Sequence, residues 1–225
     1  MSIICTICAR SNSQGLKNKN FLKIQGKSLI RHSIDLAVKS NLFDIIAVSV
    51  DKTNIELGKN IKKIIFINRP KKLAGNNSKK LDAIRHAVKT CENKKKIKFK
   101  YVCDLDVSSP LRNYKDIKNA LNKFKREKSI NLITATESKK NPYFNQIEIK
   151  NKKVKVVKQK HQIYNRQQAP VTYDMNASIY LWKRDFLFKS NNLFNKKTSV
   201  YFMPPERSID IDSNFDFKLV KFLLK

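Results

Sequence analysis

The sequence predicts an α/β protein built on a mostly parallel, doubly wound sheet. Three observations carry this reading. Apolar runs of strand length alternate with segments apolar at helical spacing as far as Thr136, polar loops follow the apolar runs, and 225 residues suffice to enclose a core. In such sheets ligands gather at the carboxyl ends of the strands.

Ser2 to Ala9 is apolar between polar flanks and reads as a buried strand, followed by a polar loop from Arg10 to Asn20. Ser28 to Lys39 carries Leu29, Ile30, Ile34, Ala37 and Val38 at helical spacing, with Ser28 placed as N-cap. Asp44 to Val50 and Lys63 to Ile67 are the next strands, and Lys79 to Cys91 is a helix with Leu81, Ile84, Ala87 and Val88 on one face. Phe99 to Cys103 is a fourth strand. The loop DLDVSSPLR, a helix over Tyr114 to Lys128 and a strand over Ile130 to Thr136 follow. From Asn141 the alternation stops. Gln146–Ile149 and Lys153–Val157 read as a hairpin turning at Lys150-Asn151-Lys152, and a polar stretch runs on to Tyr173. Ala177 to Trp182 returns as a strand. Ser213 to Leu224 closes the chain as a helix with Phe215, Leu219, Phe222 and Leu223 expected inward. There is no internal repeat. The expectation is one domain over residues 1–225 with an excursion over about 141–175, of the kind used as a lid or dimerisation arm.

The formal charge is +30, nearly all from lysines spread over the whole chain in runs between apolar segments. A polynucleotide-binding face is one reading of such charge. A solvated surface whose field gathers small anions is the preferred one, because no aromatic-rich platform for a single strand is present. No apolar run is long enough for a bilayer, and the start MSIICTICAR lacks the layout of a secretory leader. A cytoplasmic protein without membrane insertion is expected. The four cysteines offer one C-x-x-C, but Cys5 and Cys8 stand three apart in a strand and so face opposite ways. All four, including Cys91 and Cys103, read as small buried apolar residues. His32, His86 and His161 form no triad pattern.

Four segments carry candidate chemistry. ARSNSQGLKNKN is basic and follows a strand: Arg10 and Lys19 suit phosphate oxygens, and the amides about Gly15 suit an anion nest, with an ordinary polar loop as the alternative. In SIDID, read as a strand, Asp210 and Asp212 share a face across Ile211. Such a pair calls for a hard cation, which phosphate oxygens would help to ligate. The alternatives are a helix cap at Asp212 or two solvated carboxylates. Asp104 and Asp106 form a second such pair at a strand end, with Arg112 a candidate anion contact or part of a rigid turn. Arg166, with Asn165, Gln167 and Gln168, suits a sugar carboxylate and hydroxyls or is simply an exposed loop, and Asn176 opens the strand behind it.

In order along the chain, ARSNSQGLKNKN, SVD (49–51), RP-x-x-LA (69–74), SSPLR (108–112), RQQAP (166–170), DMNASIY (174–180) and SIDID (208–212) resemble the acylneuraminate cytidylyltransferase family. The resemblance implies a Rossmann-like α/β fold with a small β-rich dimerisation excursion and a homodimer whose partner completes each site. It implies CTP and an acidic nonulosonic sugar as substrates and Mg²⁺ as cofactor. Arg10, Ser13, Gly15, Lys19 and Asn20 would hold the nucleotide and its phosphates, with Arg69 on the cytosine side. Asp106, Arg166, Gln167, Asn176 and Tyr180 would face the sugar, Asp210 and Asp212 the metal, and Arg10, Lys19 and Asp212 would carry catalysis. Two departures stand out: Gln14 replaces a usual lysine, and Asp106-Val107-Ser108-Ser109-Pro110 replaces Gln-Pro-Thr-Ser-Pro. DLDVSSPLR, NPYFN (141–145) and YDMNASIY look like the branch associated with legionaminic-type sugars. The expected reaction yields a CMP-sugar and pyrophosphate. The rivals are CTP:Kdo cytidylyltransferase and, from another class, a non-catalytic nucleic-acid-binding protein.

Overall fold

The computed structural model describes residues 2–11, 15–51, 61–75, 78–158 and 163–224. Ser13, Gln14 and His161 lie outside the described residues.

The strands are β1 (Ile3–Cys8), β2 (Lys23–Ile24), β3 (Lys27–Ser28), β4 (Ile45–Val50), β5 (Ile64–Asn68), β6 (Tyr101–Leu105), β7 (Asn131–Glu137), β8 (Ile147–Lys150), β9 (Lys153–Val156), β10 (Tyr173–Lys183) and β11 (Thr198–Phe202). Seven form one sheet in the order β11-β7-β10-β6-β1-β4-β5. Every pairing in it is parallel except those of β10, which runs antiparallel to both β6 and β7. The chain winds outward from β1 through β4 to β5 and then crosses to β6 on the other side. The carboxyl ends of β1 and β6 therefore flank a topological switch point, where open α/β sheets bind ligands.

The helices are α1 (Leu29–Ser40), α2 (Lys80–Lys95), α3 (Tyr114–Arg126), α4 (Arg184–Lys189) and α5 (Asn214–Leu223). They cover both faces. Ile3, Cys5 and Ile7 of β1 pack with α1, α3 and Val220 of α5, whereas Ile4 and Ala47 pack with Ile84, Ala87 and Val88 of α2 and with Leu187 of α4. The period of two in β1 sends alternate residues to opposite layers, and Cys5 and Cys8 part company as the spacing requires. Each fully buried isoleucine, leucine or valine among them contributes about 1.5–3 kcal/mol.

Most expected elements are present with boundaries moved by a few residues, and four readings need correction. SIDID makes no sheet pairing and is an extended loop. Ser28 occupies the N-cap position of α1 without a side-chain hydrogen bond, whereas Asn113 and Ser213 close reciprocal capping boxes with Asp116 and Asp216. On α5, Phe215, Phe222 and Leu223 are exposed; Val220 is buried and Phe217 packs beside it. Their helical spacing alone could not say which arc meets the sheet. Arg112 is no anion contact: it is buried and donates to the Ser178 carbonyl (3.2 Å) and to Ser33 Oγ (2.7 Å), bracing the loop after β6. Edge strand β11, short α4 and the β2–β3 hairpin had no prediction.

The β8–β9 hairpin turns at Asn151 and Lys152, both at positive φ (52° and 58°), as a two-residue turn matching the twist of the strands requires. Its Ile147, Ile149 and Val154 stand exposed.

Candidate active site

A cleft of about 490 Å³ opens at the carboxyl ends of β1 and β6. Its lining includes Arg10, Gly15, Lys19, Asn20, Arg69, Lys80, Asp106, Asp210 and Asp212, bringing together most of the residues singled out from sequence.

One wall is the basic loop after β1. Ser11 donates through N and Oγ to the Asp51 carboxylate at the end of β4 (2.9–3.1 Å), tying the loop to the neighbouring strand. Asn20 is buried and its Nδ2 donates to the Arg10 carbonyl at 3.0 Å, so it shapes the loop as well as lining the cleft. Arg10 donates to the Gly75 carbonyl (3.1 Å), and Lys19 pairs with Asp212 at 2.7 Å. Arg69, 7 % exposed, is fixed by Ser49 Oγ (3.2 Å) and the Ser49 carbonyl (2.9 Å).

The floor is the end of β6. Asp104 is fully buried and accepts from Thr6 Oγ1 at 2.6 Å. Asp106 accepts from the amide and hydroxyl of Ser108, both at 2.8 Å, in a turn that aims the carboxylate into the cleft. The Lys80 ammonium lies between them, 2.8 Å from Asp104 and bonded also to Asp106, 5.5 Å from the centre of the Tyr180 ring. Burial alone would lower the ammonium's pKa, but the two carboxylates outweigh it and hold it above the ordinary lysine value. Burial likewise pushes Asp106 up, and the adjoining Lys80 charge with the Ser108 bonds overcomes it, leaving the carboxyl well below its usual range.

The opposite wall is SIDID. Ile211 is fully buried, and its amide donates to the Ser108 carbonyl at 2.9 Å. Ile209 packs against the same core, so the alternation that sends Asp210 and Asp212 to the cleft survives without a ladder. The approach is braced further back. Arg207 forms a bidentate pair with fully buried Asp116 (2.9 and 3.0 Å), and Asn176 Nδ2 donates to Ser208 Oγ at 2.9 Å. Asp210 accepts from the Ser109 hydroxyl and the Ala177 amide. Burial, then the charges of Asp106 and Asp212, raise its pKa above the ordinary carboxylate value despite those two bonds. A carboxylate left short of positive charge beside a second one is what a hard divalent ion fits, with oxygens from another ligand completing its shell.

Other expected residues lie elsewhere. Asn176 is buried with its amide taken up by Thr134 and Ser208, so it supports SIDID and does not line the cleft. Arg166 and Gln167 are exposed and line a separate pocket with Glu137 and Asn141. Tyr180, stacked on Trp182 at 5.4 Å, lines an apolar side cavity with Leu81, Ile84 and Leu193, joined to the cleft through Lys79, Lys80 and Ala177. Cys8 reaches the cleft, but burial first and Asp104 second push its thiol up to about 12. It is no nucleophile at neutral pH. Sequence reasoning missed Lys80, Ser109 and Asp51. The signal for Lys80 was a lysine opening a helix, where the helix dipole disfavours a cation.

Among the described residues, no helix is long and apolar enough to cross a membrane. A structure of CMP:2-keto-3-deoxy-manno-octonic acid synthetase complexed with CTP superposes with a TM-score of 0.69 at 15% identity, covering 100% of this chain and 98% of that one. At that identity the likeness speaks for the fold. In sequence, the chain is 43% identical over 223 residues to the CMP-N,N'-diacetyllegionaminic acid synthase of Campylobacter jejuni, covering 99% of this chain and 94% of that protein. It is 41% identical over 224 residues to the post-translational flagellin modification protein B of Campylobacter coli, covering 99% and 95%. The sequence profile of the cytidylyltransferases matches residues 4–217, and with these relatives it establishes that the chain belongs to the cytidylyltransferase family.

Proposed function

We propose that this enzyme joins CTP to an acidic nonulosonic sugar of the legionaminic or sialic type, releasing pyrophosphate and a CMP-sugar. The observation that carries the reading is a single cleft lined by two neighbouring carboxylates, Asp210 and Asp212, together with Arg10, Lys19 and Arg69. Cations for a triphosphate and a carboxylate pair for its metal are what a nucleotidyl transfer needs. The full-length likeness to a CMP-legionaminic acid synthase supports the sugar class over Kdo.

Arg10, Lys19 and the amides about Gly15 bind the phosphates, a role also assigned to Ser13, which lies outside the described residues; Arg69, held rigid by Ser49, serves the base side. Asp210 and Asp212 hold Mg²⁺, which when bound neutralises charge on the α-phosphate and on the departing pyrophosphate. Lys19 pairs with Asp212 in the structure described and would turn to phosphate oxygens were Asp212 to hold the metal. Asp106 meets the sugar at the floor of the cleft, and Tyr180 meets it at the mouth of the apolar side cavity, which suits an acyl methyl group. The sugar's anomeric hydroxyl attacks the α-phosphorus in line with the leaving pyrophosphate.

Arg166 and Gln167 do not line the cleft of their own chain. The excursion over 141–175 exposes Ile147, Ile149, Val171 and Tyr173, and Val171 lines the same pocket as Arg166 and Gln167. The reading is a homodimer in which this apolar surface is buried and Arg166 serves the partner's cleft. Mixing Arg166→Ala chains with Asp212→Ala chains then restores roughly a quarter of wild-type turnover, because half of random dimers are mixed and each has one intact site. Two inactive parents that give an inactive mixture, after confirmed subunit exchange, refute the shared site.

Pyrophosphate release from CTP with Mg²⁺, across sialic, legionaminic, pseudaminic and Kdo acids, tests the whole. Release with a nonulosonic acid and none with ATP, GTP or UTP is expected. Release with Kdo alone favours the neighbouring activity, and steeply salt-dependent polynucleotide binding without CTP binding overturns the enzyme reading.

A further inference from the structure

Lys80 runs against a local rule. It is the first residue of α2, and a lysine at a helix N-terminus opposes the helix dipole. Residues that break local preferences concentrate where function needs them. Two carboxylates compensate: the ammonium stands 2.8 Å from Asp104, which has no exposure to water, and binds Asp106 as well.

The position of this pair is fixed against the other carboxylates. Ser108 holds Asp106 through both its amide and its hydroxyl, and the next residue, Ser109, donates to Asp210. Consecutive Cα atoms are about 3.8 Å apart, so the two carboxylate sets are pinned to adjoining points on one loop. Asp106, Asp210 and Asp212 line the same cleft, whereas Asp104 is buried away from it. Lys19 stands against exposed Asp212, and Lys80, its side chain 38% exposed, bridges buried Asp104 and Asp106.

We propose that Lys80 is a resident cation: its ammonium fills the place a second divalent ion would take, and so confines the metal to Asp210 and Asp212. The inference rests on the metal role given above to those two aspartates. The two sets differ in the cation each holds. Lys80 is braced by a fully buried carboxylate, and removing it would strand that charge. Lys19 meets a carboxylate whose side chain is 77% exposed, and water or a metal replaces it at little cost. A tethered ammonium also brings one charge and fixed hydrogen bonds where Mg²⁺ would demand an octahedral oxygen shell. Lys80 is in this sense a positioning residue, holding Asp106 in place and out of metal coordination.

Counting bound Mn²⁺ by electron paramagnetic resonance on the full chain, without CTP or sugar, tests this independently of turnover. Lys80→Met is expected to bind one more Mn²⁺ per chain than wild type, and Lys80→Met/Asp106→Asn to lose that extra ion. Asp106→Asn alone is expected to keep the wild-type count, and Asp210→Asn to fall below it. A folded Lys80→Met with the wild-type count overturns the proposal, as does an Asp106→Asn that binds fewer ions. Should Lys80→Met not fold, the Asp106→Asn count decides alone. An Asp210→Asn with the wild-type count overturns instead the metal assignment on which the proposal rests, whatever the pyrophosphate assay shows.

Discussion

Gly15 offers the sharpest test of how the cleft is built. Its backbone is not in the left-handed region, so the constraint is space: a Cβ there would stand 2.6 Å from the carbonyl oxygen of Asp212. Contacts under 3.0 Å are essentially never tolerated, and ordinary contact begins at 3.4 Å, so Gly15→Ala must separate the basic loop from SIDID by about 0.4–0.8 Å. Both partners are backbone, and no side chain can swing aside to absorb the strain. Overpacking of this kind costs about 1–3 kcal/mol, which at about 2–4 °C per kcal/mol lowers Tm by roughly 2–12 °C. The larger effect is on chemistry. A displacement near 1 Å costs about 100-fold, so half that shift at Asp212 lowers kcat roughly tenfold. Pyrophosphate release with CTP and the accepted sugar acid measures the turnover, and a thermal melt the stability. Gly26→Ala is the control. With φ at +76° and nothing within 4 Å of its Cβ, it costs about 1–2 kcal/mol of backbone strain and leaves kcat alone. A Gly15→Ala protein with wild-type kcat and Tm refutes the argument that close approach to Asp212 is why residue 15 is glycine.

Three further outcomes are expected. Asp212→Ala lowers turnover at saturating Mg²⁺ by at least about 100-fold with little change in Tm, since its side chain is 77% exposed; full turnover removes it from the metal site. Arg207→Ala leaves Asp116 buried without its partner and costs about 3 kcal/mol, seen in a urea titration as a lower midpoint; a loss under about 1 kcal/mol means water replaces the guanidinium. In pH-dependent melts, the Asp106 contribution is present above the ordinary value of 3.8 and is lost as pH falls through its depressed value. The gap between wild type and Asp106→Asn therefore stays level at neutral pH and narrows below 3.8. Asp210 has the opposite sign. Its raised value destabilises at neutral pH, and the penalty fades as pH falls towards 3.8. Protons thus compete for Asp210 above pH 3.8, and Mn²⁺ affinity weakens there; a pH-independent affinity contradicts the assignment.

Local chemistry alone determined a good deal. Apolar runs and helical spacing located β1, β4, β5, α1, α2 and α3 because a two-layered α/β core imposes those periods on any chain that fills it. The alternation in SIDID likewise placed Asp210 and Asp212 together, since Ile209 and Ile211 had to go inward. What tertiary structure decided was partnership at long range. Nothing near Lys80 in sequence announces Asp104 and Asp106, which meet it only because β6 lies beside β1 and α2 begins over their ends. The same holds for Arg112 against Ser33 and for Asn176 against Ser208. Whether a polar side chain braces the scaffold or faces the cleft depends on which surface it meets across the sheet, and periodicity carries no such information. The exposed arc of α5 follows the same logic: its apolar residues span most of the helix, and only the packing of Val220 and Phe217 chose the buried side. Sequence spacing sets the faces an element can offer; the neighbours brought up by the rest of the chain select among them.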